Sequence, residues 1–315
     1  MSGTLELPER VAAPAKVNLF LRVLGRREDG YHDLETVVLP IGLADALEFR
    51  ASSDPAAAEM RLSLRVDGPP DLIRGVPTDR TNLVLRAARA LAERAGVRGV
   101  AEITLEKAVP SAAGLGGGSA DAAATIRALD RLWGCGLDEG ALRDVAAAVG
   151  SDVPALLHGG PVLARGRGER IESVAAPRLT WLVCPFDFEV RTADAFDWWD
   201  QDGGVSGPEP DDLIAAAAFA RDSADLAARD AVAALAWNDL QAPVVRRRPV
   251  VGAALDRLRE GGAAAALLAG SGPSVAGLFV RGLDDPGRNH RLEEDLRAIS
   301  GRPPVWAVSP ASAAR

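Results

Sequence analysis

Residues 110–121 read Pro110-Ser-Ala-Ala-Gly114-Leu-Gly116-Gly117-Gly118-Ser119-Ala-Asp121, a glycine-rich stretch that runs into an alanine-rich one. Glycine admits positive φ and lets backbone amides approach an anion closely. The alanine-rich part predicts a helix over residues 119–133, with Ser119 as its N-cap and its positive dipole end at the loop. This pattern is typical of a phosphate-binding loop, and a flexible loop capped by serine is the alternative.

Two better-known phosphate motifs do not fit this stretch. A Walker A motif closes with Gly-Lys followed by Ser or Thr, and this loop has no such ending. The dinucleotide fingerprint G-x-G-x-x-G begins well at Gly114 and Gly116, but Ser119 stands at the last glycine position. The loop therefore indicates a phosphate ligand without indicating a P-loop or Rossmann protein.

The hydrophobic pattern on both sides of the loop predicts a mixed fold. Strands are predicted over residues 17–24, 31–39, 45–50, 60–66, 100–106, 161–164 and 181–184. Helices are predicted over residues 82–95, 119–133, 140–149, 211–220, 223–235, 249–260 and 291–299, and apolar runs at 264–269 and 275–280 flank a second glycine turn. Because strands and helices do not alternate regularly, the pattern favours an α+β fold. A composition shift near residues 166–172 divides the chain into predicted domains 1–168 and 169–315.

Composition and charge exclude several classes of protein. The net charge of −8 lacks the basic excess that a nucleic-acid-binding protein needs. No stretch of 18 apolar residues is free of charge, so neither a membrane helix nor a membrane partner is expected. Residues 1–15 carry charges and prolines, unlike a secretory signal, and Cys135 and Cys184 lack the spacing of a metal site or a disulfide framework. These features predict a cytoplasmic protein.

One detail of the composition concerns lysine. Of the 36 basic residues only Lys16 and Lys107 are lysines, and Tyr31 is the single tyrosine. A lysine that persists in so arginine-rich a chain suggests a position where a compact ammonium cannot be replaced by a planar guanidinium. Chance remains the alternative for a sample of two residues.

The sequence of the loop also resembles a known family. Residues 110–124, PSAAGLGGGSADAAA, are similar to the ATP-binding motif of the superfamily of galactokinase, homoserine kinase, mevalonate kinase and phosphomevalonate kinase, the GHMP kinases. Four further segments, in register, resemble the branch that acts on a cytidine diphosphate ester of methylerythritol in the non-mevalonate isoprenoid pathway. They are Ala13-Pro-Ala-Lys16-Val-Asn18-Leu-Phe-Leu, Asp29-Gly-Tyr31-His32, Gly150-Ser-Asp152-Val-Pro154 and Gly270-Ser271-Gly272-Pro273. The resemblance runs from about residue 13 to residue 279.

The resemblance implies a two-lobed fold and a phosphotransferase activity. The N-terminal lobe is expected to be ribosomal S5 domain 2-like and the C-terminal lobe ferredoxin-like. The implied reaction is ATP-dependent phosphorylation of a hydroxyl of the cytidyl ester, with Mg²⁺ bridging phosphate oxygens. The expected partners are therefore ATP and this small molecule, in a monomer or weak homodimer.

The same resemblance implies two catalytic residues, Lys16 and Asp152. Lys16 would be a cation near the γ-phosphate, and Asp152 would accept the proton of the attacking alcohol. From local sequence alone, Lys16 would be a solvated strand-edge lysine and Asp152 a helix N-cap followed by proline.

The resemblance also assigns binding residues. For the substrate, it places Tyr31 against the cytosine ring and His32 at the edge of the base, and it adds Asn18, Thr192 and Ser271. The residues implied for ATP are Pro110, Ser111, Ala112, Ala113, Gly114, Leu115, Gly116, Gly117, Gly118, Ser119, Ala120, Asn82 and Lys107. Ser119 is the candidate neighbour of the metal. Two of these residues have an alternative interpretation, Asn82 as a helix cap and Lys107 as a strand-end lysine in water. Glu169 also matches the family, but the sequence reveals no chemistry for it.

Two other functions stay open at this stage. Another kinase of the superfamily, of the homoserine or mevalonate type, need not carry the Asp29–His32 segment, which therefore discriminates against it. A non-catalytic nucleotide sensor on the same fold is opposed by the presence of both Lys16 and Asp152.

Overall fold

The computed structural model describes residues 8–281 and 284–312. Residues 1–7 of the charged N-terminal segment lie outside the described residues. The first part of the chain contains β1 (Glu9–Arg26), β2 (His32–Ser53), β3 (Met60–Asp67), α1 (Pro70–Ile73), α2 (Leu83–Ala95), β4 (Gly99–Glu106), α3 (Gly117–Leu132), α4 (Glu139–Val149), α5 (Val153–His158), β5 (Val162–Gly166) and β6 (Arg170–Ser173). The remainder contains β7 (Leu179–Cys184), α6 (Thr192–Gln201), α7 (Asp211–Arg221), α8 (Leu226–Ala234), β8 (Trp237–Asn238), α9 (Gln241–Arg247), α10 (Pro249–Glu260), β9 (Ala265–Leu268), β10 (Val275–Phe279), α11 (Pro286–Ser300) and β11 (Val305–Ser309).

The chain forms two compact units that are discontinuous in sequence. Unit 1 contains the chain up to Ala15, then Ala44–Ser111 and Gly116–Gly159. Unit 2 contains Lys16–Leu43, Ala112–Leu115 and the rest of the chain from Gly160. The long strands β1 and β2 therefore contribute residues to both units, and so does the glycine-rich loop.

In unit 1 the helices α2 to α5 share one hydrophobic core with a sheet. The second half of β2 pairs antiparallel with β4, with Leu47 opposite Leu105, and β4 pairs in parallel with β3. Alternate residues of β4 are buried, as expected when one face of a sheet is covered. Helix α2 begins where the Oδ1 of Asn82 accepts a hydrogen bond from the Val84 amide at 2.9 Å, and it ends at Gly96 with φ +67°. Its fully buried Leu91 belongs to the same core as Phe49 of the sheet.

Unit 2 contains a four-stranded antiparallel sheet in the order β11-β7-β10-β9. The inner strand β7 is buried along most of its length, with Trp181 fully enclosed. On one face of the strand Leu182 and Cys184 share a hydrophobic core with residues of α10 and α11. In the same unit the first half of β2 pairs with β5, β5 pairs with β6, and β1 pairs in parallel with β8. The α+β prediction is confirmed.

Helix α3 departs from the expectation in a way that matters for the site. It begins at Gly117 instead of Ser119, and its N-cap is Gly116 with φ +68°. The interpretation of Ser119 as the N-cap is therefore wrong, because the left-handed conformation that starts the helix is one that glycine adopts without steric cost. Ser119 instead lies in the first turn of the helix.

Other differences concern elements that the hydrophobic pattern did not reveal. Strand β2 is continuous from His32 to Ser53, where two strands were predicted. The elements absent from the prediction are helices α1, α5, α6 and α9 and the short strands β6, β8 and β11. The proposed domain limit at residues 168 and 169 falls in the turn of the β5–β6 hairpin, both strands of which lie in unit 2. Across the described residues no helix combines the length and the apolar character that crossing a membrane requires.

Candidate active site

Lys16 is a buried cation in unit 2. Its side chain lies on β1 and the residue is only 4% exposed. Its Nζ donates to the Asn18 Oδ1 at 2.8 Å and to the carbonyl of Gly114, in the glycine-rich loop, at 2.9 Å. The backbone amide of Lys16 donates to the Leu115 carbonyl at 2.9 Å. The interpretation of Lys16 as a solvated strand-edge lysine is therefore wrong, and this loop segment is tied to β1 by both the backbone and the side chain of one residue.

The amide of Asn18 has a fixed orientation. Its Oδ1 accepts from Lys16, while its Nδ2 donates to the Thr36 Oγ1 at 2.7 Å. Thr36 in turn donates to the carbonyl of Phe20 at 2.6 Å. Because each group in this series has a defined donor or acceptor role, the oxygen of Asn18 must face the ammonium of Lys16. The residue predicted to contact substrate is thus also the residue that orients Lys16.

The second glycine turn closes over Lys16. A Cβ added at Gly270 would lie 2.8 Å from the Lys16 Nζ, and the φ of Gly270 is +58°. A Cβ added at Gly114, where φ is +77°, would lie 2.0 Å from the carbonyl oxygen of Ala269. Gly114 therefore requires glycine, because a side chain there would collide with a backbone carbonyl, and a side chain at Gly270 would displace the Lys16 ammonium as well as strain the backbone.

Asn238 holds that turn in place. Its Nδ2 donates to the carbonyls of Leu268 and Gly270, both at 2.8 Å, and its Oδ1 accepts from the Leu240 amide at 2.9 Å. Two of these hydrogen bonds attach the amide to the end of β9 and to the glycine turn, and the third orients the amide itself. Next to Gly270 in the chain, Ser271 lies within hydrogen-bond distance of Thr192, with 3.1 Å between their hydroxyl oxygens. The structure thus brings two predicted substrate residues together.

His32 and Tyr31 form a second cluster in unit 2. The His32 ring is stacked on Phe196, with ring centroids 4.8 Å apart and an angle of 22° between the planes. Its Nε2 lies 3.1 Å and 3.2 Å from the two carboxylate oxygens of Asp200. Tyr31 is 52% exposed, and the guanidinium of Arg167 lies 4.0 Å from the centre of its ring. The aromatic residues predicted to bind a base are therefore accessible at Tyr31 and held rigidly at His32.

Glu169 has a structural role beside Tyr31. Its Oε2 accepts from the Arg167 amide at 2.7 Å, across the tight turn that joins β5 to β6. The turn also needs Gly166, where φ is +74° and a Cβ would lie 2.4 Å from the Glu169 carboxylate. Glu169 therefore stabilises the turn that presents Arg167 to the face of Tyr31.

Lys107, in unit 1, is buried rather than solvated. Its Nζ donates to the Oδ2 of Asp45 and lies 3.3 Å from the Oδ2 of Asp121, on the second turn of α3. The other oxygen of Asp45 accepts from the amides of Ala108 and Val109 at 2.6 Å and 2.8 Å. The alternative of a strand-end lysine in water is therefore wrong. The three charged side chains link β2, the end of β4 and the start of α3, on either side of the glycine-rich loop.

The charge balance of this group is unusual because two carboxylates face one ammonium. Burial raises the pKa of Asp121 to about 8, with Asp45 adding to the shift and Lys107 opposing it. The Oδ1 of Asp121 has no hydrogen-bond partner among the described residues. A buried oxygen without a partner is less costly on a neutral carboxylic acid than on a carboxylate. The missing hydrogen bond and the raised pKa therefore both favour the protonated form of Asp121.

Two further predicted residues occupy helix starts in unit 1. Asn82 caps α2, as its alternative interpretation proposed, and its Nδ2 also donates to the Pro77 carbonyl at 2.6 Å. Asp152 is exposed at the N-cap position of α5, with Pro154 in the first turn, but its side chain makes no capping hydrogen bond to that helix. A capping hydrogen bond therefore explains the asparagine at position 82, but it does not explain the aspartate at position 152.

Helix α6 contains one predicted residue of the candidate site, Thr192, and two residues beside the site that sequence reasoning missed, Phe196 and Asp200. Thr192, Phe196 and Asp200 are four residues apart, so they share one face of this helix. Thr192 contacts Ser271, and the other two contact His32. The i, i+4, i+8 spacing was the available signal, but these residues are threonine, phenylalanine and aspartate, which do not form an apolar stripe.

Comparison with known proteins places these features in a class. Family models described as the GHMP kinases N terminal domain and the GHMP kinases C terminal match residues 82–160 and 203–299. A homoserine kinase from Cytophaga hutchinsonii has the same fold, with a TM-score of 0.69 at 18% identity over 99% of this chain and 97% of that chain. The fold and the glycine-rich loop are thus those of a GHMP kinase.

Relatives of higher identity narrow the assignment. The 4-diphosphocytidyl-2-C-methyl-D-erythritol kinase of Pelotomaculum thermopropionicum is 44% identical over 268 residues, which cover 84% of this chain and 87% of that protein. A crystal structure of a 4-(cytidine 5'-diphospho)-2C-methyl-D-erythritol kinase has a TM-score of 0.73 at 32% identity over 97% of this chain and 100% of that chain. The chain belongs to the 4-diphosphocytidyl-2-C-methyl-D-erythritol kinase family.

The buried carboxylate on α3 leads to a prediction about stability and pH. In the unfolded chain Asp121 loses its proton near pH 4, whereas the folded protein retains the proton up to about pH 8. Because the folded-state pKa is raised, the stability that the protonated group contributes is lost as pH rises through this interval. Asparagine resembles the neutral acid and does not titrate. The free energy of unfolding of Asp121→Asn should therefore rise relative to that of the unsubstituted protein as the pH increases from 5 to 8, by up to about 1.4 kcal/mol per pH unit.

Urea unfolding at several pH values measures this difference. Asp144→Asn makes the same chemical change at an exposed position of α4 and should give a difference that does not vary with pH. A pH-independent difference for Asp121→Asn would contradict the assignment of a raised pKa to this residue.

Proposed function

We propose that the protein transfers the γ-phosphoryl group of ATP to the 2-hydroxyl of 4-diphosphocytidyl-2-C-methyl-D-erythritol, a step in the formation of isoprenoid precursors. The names of its relatives and the similarity over most of the chain support this proposal. The observation that carries it is the buried ammonium of Lys16, held 2.9 Å from the carbonyl of Gly114 in the glycine-rich loop. A cation fixed to a phosphate-binding loop is suited to stabilise charge on a phosphoryl group in transfer.

The proposed reaction exchanges one P–O bond for another and moves one proton. The 2-hydroxyl oxygen attacks the γ-phosphorus, the bond from that phosphorus to the bridging oxygen of ADP breaks, and ADP leaves. We assign to Asp152 the acceptance of the hydroxyl proton and to Lys16 the stabilisation of negative charge on the transferred group. Phosphoryl transfer depends mainly on positioning and electrostatics, so an ordinary carboxylate is sufficient as the base.

The glycine-rich loop is the proposed ATP phosphate site. Residues 110–120 lead into α3, and amides at the start of this 16-residue helix are suited to an anion because the cap is a glycine without a side chain. Asn82 and Lys107 belong to the same proposed site. Their side chains already bind protein groups, so we assign them the role of holding the start of α2 and the base of the loop in place.

The cytidyl substrate is assigned to the clusters in unit 2. Tyr31 offers an exposed ring for stacking on the base, and His32 offers a ring edge for hydrogen bonds. Ser271, Thr192 and the amide of Asn18 supply hydroxyl and amide groups suited to the diphosphate and the methylerythritol.

Magnesium is a further element of the proposal. Among the described residues no group of three or more His, Cys, Asp or Glu side chains could hold a metal ion. Mg²⁺ at phosphoryl-transfer sites is often held mostly by water and substrate phosphates, so this poor donor set fits an ion that arrives with ATP. Ser119, in the first turn of α3, is the proposed protein neighbour. Such an ion would neutralise charge on the phosphate oxygens.

The second candidate function is another GHMP kinase of the homoserine or mevalonate type, and the third is a nucleotide sensor without activity. The Asp29–His32 segment and the base-binding cluster around His32 favour a cytidyl substrate over the second. Lys16 and Asp152 favour catalysis over the third. A cytoplasmic location, where ATP is available, and a monomeric or weakly dimeric state stay predictions.

Purified protein should release ADP from ATP and Mg²⁺ when the cytidyl ester is added, because the proposed base and phosphate sites serve that substrate. Coupled detection of ADP measures the rate, with homoserine and mevalonate as parallel substrates. Turnover with either of those and none with the cytidyl ester would reject the proposed substrate, and no turnover with any of the three would favour a sensor.

Asp152→Asn should lower kcat by at least about tenfold, because asparagine cannot accept the proton that a general base removes. ATP affinity should stay close to that of the unsubstituted protein, because the substitution keeps the size of the side chain and Asp152 is assigned to the alcohol and not to ATP. The control is Asp212→Asn, the same change at an exposed aspartate in the first turn of α7. An unchanged kcat in Asp152→Asn would remove the base role.

A further inference from the structure

The His32 ring is held in one orientation by three side chains of a single helix. Phe196 stacks on it, the edge of Trp199 approaches at 6.0 Å between centroids and 88° between planes, and Asp200 binds its Nε2. All three side chains belong to α6. Since His32 is itself buried, rotation of its ring would break the contact with Asp200 and disturb both aromatic contacts.

The contact with Asp200 determines which nitrogen of His32 carries the proton. Both hydrogen bonds described for the ring join Nε2 to carboxylate oxygens, at 3.1 Å and 3.2 Å. A carboxylate only accepts hydrogen bonds, so Nε2 must be the donor. A neutral imidazole has one N–H, and the second nitrogen, Nδ1, is then an acceptor.

Asp200 is itself held in place. It lies in the last turn of α6, and the Nη1 of Arg26 approaches its Oδ2 at 3.5 Å. The same Arg26 atom lies 3.9 Å from Asp197, one turn earlier, but no contact is described between Asp197 and His32. The two acidic residues thus share a cation and differ in whether they bind the imidazole.

An acceptor nitrogen distinguishes the two pyrimidine bases. At position 4 cytosine carries an amino group, which donates, whereas uracil carries a carbonyl, which accepts. At position 3 the nitrogen of cytosine accepts, whereas the N–H of uracil donates. A base hydrogen-bonded to the edge of His32 in the plane of the imidazole would lie nearly parallel to Phe196, which is tilted only 22° from that plane. Such a base could stack on an aromatic face while its 4-amino group binds Nδ1.

We propose that Asp200 is a specificity-determining positioning residue, which holds His32 in the Nε2–H tautomer so that Nδ1 accepts the amino group of cytosine and repels the carbonyl of uracil. This inference rests on the proposed function, because it assumes that His32 binds the base of a cytidyl ester. It adds a residue that does not touch the substrate but sets the hydrogen-bonding character of one that does.

The first test compares the cytidyl ester with its uridine diphosphate analogue. The unsubstituted protein should favour the cytidyl ester in kcat/KM by about 100-fold or more, as a site that pairs with one polar group rejects the opposite one. Asp200→Asn should narrow this ratio at least tenfold, because an amide accepts or donates and so no longer selects one tautomer. Asp197→Asn, on the same helix and near the same arginine, should leave the ratio unchanged.

Two measurements separate this inference from the proposed function. The chain has three histidines, so ¹⁵N spectra can assign the His32 tautomer directly in the unsubstituted protein. Calorimetry with CDP and UDP measures discrimination without turnover. An Nδ1–H tautomer, or equal discrimination in Asp200→Asn and the unsubstituted protein, would overturn the inference. Absence of turnover, with CDP still preferred over UDP and the preference lost in Asp200→Asn, would instead reject the function and support the inference.

Discussion

The hydrogen bonds of the Lys16 ammonium are the interaction on which the rest of the site depends. A buried charge is very costly unless polar groups surround it, and here a carbonyl from the glycine-rich loop and the Asn18 amide oxygen do so. The contact with the Gly114 carbonyl joins residues 98 positions apart in the chain. The hydrogen bonds of Lys16 also explain why Gly270 has no side chain, since a Cβ there would occupy the space next to Nζ.

Both lysines of the chain turn out to be buried, which clarifies the composition. Lys107 lies among carboxylates at the base of the loop, and Lys16 contacts neutral oxygens at its centre. A guanidinium is larger and needs several acceptors in one plane, so arginine would not satisfy either environment. The printed contacts of the two ammonium groups differ: Lys107 lies beside the carboxylates of Asp45 and Asp121, whereas Lys16 donates to the Asn18 amide and to a backbone carbonyl of the glycine-rich loop.

The sequence predicted the features that depend on local pattern. The glycine-rich loop and most of the longer helices follow from spacing and periodicity, and the family motifs indicated Lys16 and His32 as candidate site residues. The partners of these residues do not follow from the sequence, because Asn18 with Thr36 and His32 with Asp200 are contacts between distant segments. Helix α6 was missed for the same reason. The face that contacts Ser271 and His32 contains Thr192 and Asp200, and these polar residues interrupt the apolar pattern that would have indicated a helix. Ser119 was wrongly predicted to be the N-cap of α3. The cap is Gly116 in the left-handed conformation, and a glycine has no side chain by which the sequence could indicate a cap.

The most direct measurement of the central claim is a comparison of Gly270→Ala with Gly134→Ala. Both glycines adopt left-handed φ, +58° and +64°, but an added Cβ meets the Lys16 ammonium at the first and nothing within 4 Å at the second. The backbone strain should cost both variants about 1–2 kcal/mol. If the position of Lys16 controls phosphoryl transfer, kcat should fall at least about tenfold further in Gly270→Ala than in Gly134→Ala. Equal kcat values in the two folded variants would contradict the claim that the position of Lys16 controls phosphoryl transfer.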